Sequence, residues 1–414
     1  ELSFDDSQTT LDVYQQWLLL LVDLNYLHPK SLMRDAQRLW IDIIQVDVYH
    51  LNNLFAECLA ALRKQDFKGF KGLCFQISPH FYSLIKGDFG RVVRGDVVAM
   101  GSLVQTFSYT GRLSLNDLDL TQQMLDEYRE IEENIPLDFP KHLITALNKI
   151  IRRWMTPYGP EEFYPSHGPG AVAGHGRESL EVKYKDLTSD SQTDYAFGAI
   201  LPDGRIRSVL TRISETIFVP KSYKTFRTIS KEPTTLMYYQ QAVWKAIERQ
   251  VSSSRYLNNR IGFRDASRNR ELAREGSIER NYATIDLSAA SDSVGYTLVK
   301  RLFRGTWLLR YIVTLRSPKT LLPDGTVLKL RKFAPMGSAL CFPIETIVFA
   351  SVCEYVTRKH GVNGDYSVYG DDIIVPTRCV DDVIHVLESL GFRVNRDKSF
   401  YDPNCWFRES CGGE

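Results

Sequence analysis

Along the first third of the chain, apolar residues recur three and four positions apart, the spacing of one helix face. The pattern runs through residues 11–27, 31–62, 118–133 and 143–155, with helix-stopping signals at His28-Pro29 and Ser78-Pro79. Residues 1–160 are therefore expected to form a helical region, and they contain no catalytic constellation. Near residue 160 the texture changes. Ser166-His167-Gly168-Pro169-Gly170 is loop-forming, and Leu201-Pro202-Asp203-Gly204 and Leu322-Pro323-Asp324-Gly325 read as turns between short strand-like runs. From residue 282 onward, short β-rich runs alternate with helical ones. That alternation predicts an α+β lobe with an antiparallel sheet. Within it, residues 342–355 and 380–390 carry helical patterns, the second ended by Gly391.

Composition narrows this picture. A chain of 414 residues exceeds one ordinary core, so two or three lobes are expected. With 43% hydrophobic and 24% charged residues, it is globular rather than disordered. The net charge of +1 excludes a uniformly basic nucleic-acid coat, but residues 201–280 hold sixteen Lys and Arg against eight Asp and Glu. That excess is either a localised phosphate-binding surface or a solvated basic face. The seven cysteines are odd in number and include no CxxC pair, so neither a zinc site nor a disulfide framework is indicated. His167 and His175 flank the glycine-rich loop at no metal-ligand spacing and read as loop or core residues. The longest early apolar run, residues 17–22, is too short to span a bilayer. The chain opens on Glu1 and stops at Glu414, which reads as truncation at one or both ends.

Carboxylates supply the candidate chemistry. In Thr284-Ile285-Asp286-Leu287-Ser288-Ala289-Ala290-Ser291-Asp292, a β-type run ends at Asp286 and small residues follow, which lets a substrate approach the backbone. In Ser367-Val368-Tyr369-Gly370-Asp371-Asp372-Ile373-Ile374-Val375, two β-branched arms flank a tight turn, so the acids sit at a hairpin tip. Adjacent carboxylates repel and call for a compensating cation, and Mg²⁺ is the usual hard cation beside phosphates. Either motif alone is an ordinary cap or polar turn. Together, a strand-end Asp and an Asp-Asp hairpin match what two-metal phosphoryl transfer requires.

These residues carry a family resemblance. Asp286 resembles polymerase motif A, and Tyr369-Gly370-Asp371-Asp372 resembles motif C of viral RNA-dependent RNA polymerases. With Leu315-Arg316-Ser317-Pro318-Lys319, Leu322-Pro323-Asp324-Gly325, Met336-Gly337 and Phe407-Arg408-Glu409-Ser410-Cys411-Gly412, the chain resembles the replicases of single-stranded RNA bacteriophages, the levivirus type or Q-beta-like group. The resemblance runs from about residue 219 to 414.

The resemblance implies a right-handed polymerase of fingers, palm and thumb. Residues 1–160 would brace the fingers, 161–280 would form fingers with a basic channel, and 281–405 the palm. Residues 406–414 would begin motif E, with the thumb missing. Asp286, Asp371 and Asp372 would hold two Mg²⁺ ions, or Mn²⁺. Residues 220–233 resemble motif F, and Lys221, Lys224 and Arg227, three apart, would bind the NTP triphosphate. Gly337 and Ser338 resemble a motif B loop under the templating base. Ser291, Asp292, Ser338 and Glu345 would lie around the nucleotide, and Asp292, Ser338 and Glu345 are the candidates to read its 2′-hydroxyl; a solvated Glu345 is the alternative. Lys398 resembles the motif D lysine that protonates pyrophosphate. Arg264, Arg268, Arg270 and Arg274 would contact RNA phosphates, several from one helix face.

The implied function is copying a phage RNA genome from NTPs in the cytoplasm of the infected bacterium. RNA template and product would be its partners, along with host elongation factors Tu and Ts and a small-subunit ribosomal protein, and no membrane. The competing readings are a reverse transcriptase-like polymerase and a catalytically incompetent RNA-binding fragment of a replicase.

Overall fold

In this computed structural model, residues 121–155, 162–175, 180–188, 212–222, 225–402 and 407–413 are described, with Glu57, Ala60, Lys64 and Gly159 as isolated positions. The helix expected over 11–27, all but two positions of that over 31–62, and the turn at 201–204 lie outside them. The chain divides into two compact units, Glu1–Gln122 with Phe218–Arg227, and Gln123–Ile217 with Thr228–Glu414. The second unit contains every carboxylate singled out above.

The helical patterns after residue 118 form helices: α1 (Thr121–Asn134) and α2 (Lys141–Trp154). In α2, Leu143, Leu147, Ile150, Ile151 and Trp154 are buried, one stripe at the period that predicts it. The strands β1 (Ile213–Ser222) and β2 (Thr225–Lys231) follow, then α3 (Thr234–Ser253) and α4 (Ser267–Glu279). Next come β3 (Tyr282–Ile285), β4 (Leu287–Ser288), a helical turn (Ala290–Ser293), α5 (Tyr296–Leu302) and α6 (Leu308–Thr314). The strands β5 (Lys319–Leu321) and β6 (Val327–Lys329) flank the expected turn, where Gly325 adopts a φ of 82°. The chain continues through α7 (Cys341–Lys359), β7 (Ser367–Tyr369), β8 (Asp372–Pro376), α8 (Val380–Ser389) and β9 (Arg393–Val394).

The antiparallel sheet expected here has the order β3-β8-β7, with Ile285 opposite Ile373 and Tyr369 opposite Asp372. Its central strand is covered on both faces, which explains why Ile373-Ile374-Val375 reads as a continuous apolar run. Ile374 packs against Leu272 and Ala273 of α4, while Ile373 and Val375 face the main core. A second sheet, β2-β1-β5-β6, departs from the antiparallel expectation. Residues 213–215 of β1 run parallel to β5, a pairing made possible by the roughly hundred residues between them. One apolar core extends from Phe139 to Phe392. Its centre is α7, whose buried residues ring the whole helix. Among the described residues, no helix is long and apolar enough to cross a membrane.

Candidate active site

The acids meet at one end of the β3-β8-β7 sheet. Asp286 follows the last residue of β3, and Ile285 pairs with Ile373, so Asp286 emerges beside Asp372. Gly370 and Asp371 form the two-residue connection between β7 and β8. Gly370 has a φ of 62°, the backbone a two-residue hairpin needs to match strand twist. A Cβ there would lie 2.7 Å from the Phe342 ring. Helix α7 supports the turn twice: the Gly370 N–H donates to Thr346 Oγ1 at 3.2 Å, and the rings of Phe342 and Tyr369 meet edge to face at 5.2 Å.

Asp286 is held by the segment after α8. The Asn395 side-chain amide donates to Asp286 Oδ2 at 3.0 Å, the Asn395 N–H donates to the Asp286 carbonyl at 2.9 Å, and the Asp286 N–H donates to Ser399 Oγ at 3.1 Å. Burial pushes the Asp286 carboxyl up to about 6; Lys398 opposes the rise, and the Asp371 and Asp372 carboxylates add to it. Lys398 itself is exposed. Asp372 accepts at one oxygen, Oδ1, from the Cys411 N–H at 3.1 Å and the Ser410 hydroxyl at 3.3 Å.

Glu345 is buried rather than solvated, 4% exposed, and accepts a 2.6 Å hydrogen bond from the Ser291 hydroxyl. Burial pushes its carboxyl up to about 8, with Asp371 and Asp292 adding to the rise against the Ser291 hydrogen bond. Asp292 pairs with a lysine no local pattern announced. Lys332 is fully buried, its Nζ 2.7 Å from Asp292 Oδ1, 3.3 Å from Glu132 Oε1 and 3.7 Å from the centre of the Tyr128 ring. Ser338 is buried and donates to Gln240 Oε1 at 3.1 Å. Gly337, with a φ of 118°, lies so close to β2 that a Cβ would stand 2.2 Å from the Ser230 carbonyl oxygen.

The cationic candidates divide. Lys221 and Arg227 lie on β1 and β2 in the first compact unit, and Arg227 is exposed. The side chain of Lys221, and Lys224 altogether, lie outside the described residues. Of the four arginines read as one stretch, Arg264 precedes α4 and pairs with Glu248, Nη2 to Oε2 at 2.8 Å. Arg264 and Arg268 line a cleft of about 450 Å³ behind the hairpin, which Ser367 also lines. Arg270 and Arg274 share a helix face one turn apart and are exposed; Arg270 lies over Gly413. His167 is a core residue between Tyr184 and Tyr238, as the spacing indicated, and burial lowers its pKa to about 4. His175 pairs with Asp186.

The donor set suits a hard cation, because three carboxylates gather where their repulsion is felt. Among the described residues, however, no three His, Cys, Asp or Glu side chains converge tightly enough to cage a metal. A Mg²⁺ site built from one or two carboxylates, water and substrate phosphates needs no such cage. The residues missed in the sequence are Asn395, Ser399, Lys332, Glu132 and Gln240. All are common polar types, and their contacts arise only from folding.

The family described as RNA replicase, beta-chain, matches residues 122–414. The RNA-directed RNA polymerase subunit beta of Enterobacteria phage SP is 39% identical over 211 residues, 51% of this chain and 35% of that protein. The corresponding subunit of Escherichia virus Qbeta is 36% identical over 209 residues, 50% of this chain and 34% of that protein. The beta chain from Escherichia phage MS2 is 36% identical over 194 residues, covering 47% and 34%. The matches thus span about a third of those relatives' length. The crystal structure of an insertion loop deletion mutant of a human picorbirnavirus RNA-dependent RNA polymerase aligns with a TM-score of 0.45 and 13% identity, over 78% of this chain and 69% of that one.

Proposed function

The chain belongs to the RNA replicase beta-chain family, and from that premise we propose that its β3-β8-β7 sheet carries the nucleotidyl-transfer centre of an RNA-directed RNA polymerase copying a phage RNA. The observation that carries this reading is the meeting of Asp286 with the Asp371-Asp372 hairpin at one sheet end, where burial raises the Asp286 carboxyl and the two hairpin carboxylates add to the rise. Asp286, Asp371 and Asp372 would hold two Mg²⁺ ions, or Mn²⁺, which when bound supply the charge that activates a 3′-hydroxyl and neutralises pyrophosphate. The part-buried hydrogen bonds from the Asn395 amide to Asp286 and from the Asp286 N–H to Ser399 keep Asp286 oriented, so little reorganisation is needed when substrate arrives.

Asp292 is our choice as reader of the ribose 2′-hydroxyl. Its Oδ1 is taken by Lys332, its side chain is 15% exposed, and Oδ2 remains to accept a hydrogen bond. The Ser338 hydroxyl is spent on Gln240, and Glu345 is turned inward to Ser291. Gly337 lets the chain turn tightly against β2 beside the templating base. Lys398 sits within electrostatic reach of Asp286 and would protonate the leaving pyrophosphate. Lys221, Lys224 and Arg227 would bind triphosphate, and Arg264, Arg268, Arg270 and Arg274 the RNA backbone. In this reading the second compact unit contains the palm, and a fingers–palm–thumb polymerase in the host cytoplasm uses RNA and NTPs. Elongation factors Tu and Ts and a small-subunit ribosomal protein would be its host partners.

The test is Mg²⁺-dependent incorporation of labelled ribonucleotide on a primed RNA template, comparing the wild-type chain with Asp371→Asn. A loss on the order of 100-fold or more is expected in the variant, the scale of removing one electrostatic stabiliser. Equal incorporation by both proteins, or a preference for deoxyribonucleotides, overturns the proposal.

A further inference from the structure

One buried side chain joins both arms of the acidic hairpin to the last described turn of the chain. Asn269, in the first turn of α4, is 2% exposed. Its Oδ1 accepts from the Ser367 hydroxyl on β7 at 2.7 Å, and its Nδ2 donates to the Asp372 carbonyl on β8 at 3.1 Å. The same Nδ2 donates to Ser410 Oγ at 3.1 Å. The Asp372 carbonyl only accepts, so it fixes which end of the amide bears the nitrogen. Ser410, 1% exposed, passes the connection on by donating its hydroxyl to Asp372 Oδ1 at 3.3 Å.

The Ser410 turn is itself rigidly built. Ser410 and Gly413 exchange backbone hydrogen bonds at 2.9 Å in each direction, and Cys411 between them adopts a left-handed φ of 53°. That conformation aims the Cys411 N–H at Asp372 Oδ1, 3.1 Å away. Gly413 lies flat against Arg270, where a Cβ would come within 2.3 Å of the arginine side chain. Asp372 Oδ1 therefore carries two donors, and Oδ2 is the oxygen of this half-buried carboxylate that neither donor engages. Asn269, Ser367 and Ser410 are all buried, so these hydrogen bonds do not compete with water.

We infer that Asn269 and Ser410 are positioning residues for the acidic hairpin, setting Asp372 to present a single oxygen to a divalent cation beside Asp286. The inference rests on the metal-binding reading of the three acids given above. It adds that α4 and the segment after residue 407 are parts of the centre, acting through Asp372 without touching substrate. Partners of this kind around a metal ligand are typically worth about 10–100-fold in metal affinity.

The experiment is titration of the full chain with Mn²⁺ alone, counting free ion by its electron paramagnetic resonance signal, alongside a thermal melt. The proteins are wild type, Asp286→Asn, Asn269→Ala, Ser410→Ala and Ser410→Thr. The expected result is binding by wild type, loss in Asp286→Asn, weakening of about tenfold in Asn269→Ala and Ser410→Ala, and recovery in Ser410→Thr, which keeps the hydroxyl. Ser410→Ala removes one buried hydroxyl and leaves the backbone hydrogen bonds of the turn in place, so it keeps the question open to test if Asn269→Ala fails to fold. If wild type binds, Asp286→Asn does not, and Asn269→Ala and Ser410→Ala bind as wild type while only melting earlier, the positioning role is overturned and the metal-binding reading stands. If wild type does not bind, or Asp286→Asn binds equally, the metal-binding reading fails and the positioning role falls with it.

Discussion

Replacing Lys332 by Met removes one fully buried charge from the second compact unit and leaves two carboxylates behind. The lysine is fully buried, with Asp292 Oδ1 at 2.7 Å and Glu132 Oε1 at 3.3 Å. Burial works against its charge, but Asp292, Tyr128 and Glu132 more than compensate, and its pKa is raised. At an effective dielectric constant near 20, each pair contributes about 5–6 kcal/mol of attraction before desolvation is counted. Desolvating the ions offsets most of that, and breaking such a pair by removing one partner typically costs about 3–5 kcal/mol. Methionine fills the lysine's length, so little of the loss comes from a cavity. The assay is urea unfolding followed by tryptophan fluorescence. Lys332→Met should lose about 3–5 kcal/mol, and adding Glu132→Gln should recover part of the loss by removing one stranded charge. Because the folded pKa is raised, the lysine's contribution is fully present below its unfolded value, near 10.4, while a carboxylate stranded in the variant takes up a proton at lower pH, so the loss should not diminish between pH 6 and 9. A single variant within about 1 kcal/mol of wild type, or a double variant no more stable than the single one, refutes the reasoning.

Two more predictions concern the buried Glu232 and the exposed Gly337. Glu232 is 1% exposed and accepts a 2.5 Å hydrogen bond from Ser317; burial pushes its carboxyl up to about 7, against the Ser317 and Gln240 hydrogen bonds. The unfolded chain therefore ionises first, and wild type should lose stability relative to Glu232→Gln as pH rises from about 4.5 to 7, by at most roughly 3 kcal/mol; parallel urea curves across that range would show the shift to be illusory. Gly337→Ala would drive a Cβ to 2.2 Å from the Ser230 carbonyl at a φ of 118°, whereas Gly325→Ala has a φ of 82° but open space around it. Alanine at 325 should cost on the order of 1 kcal/mol and alanine at 337 clearly more; equal losses in urea unfolding would remove the contact with β2 as the reason for Gly337.

The acids were legible in the sequence because each motif is local. A turn glycine between β-branched arms specifies a hairpin whatever surrounds it, and a strand that ends at Asp286 leaves that carboxylate at the sheet edge. The helices of residues 121–134, 141–154 and 380–389 were legible for the same reason, since one-sided burial leaves its period in the chain. Tertiary structure alone decided what lies behind the acids. Asn269 reaches Ser410 across 141 residues, and Glu132 meets the Arg331–Lys332 segment across 199. Asn, Ser, Glu and Lys are ordinary surface residues until packing removes water from them. The burial of Glu345, the pairing of Arg264 with Glu248, and the parallel entry of β1 beside β5 belong to the same class. A periodic pattern shows which face of an element is apolar, but which distant polar group completes a hydrogen bond depends on how those faces are stacked. The sequence by itself thus determined the three acids and the elements that bear them. The orientation and charge state of those groups were decided only where the elements close around them and water is excluded.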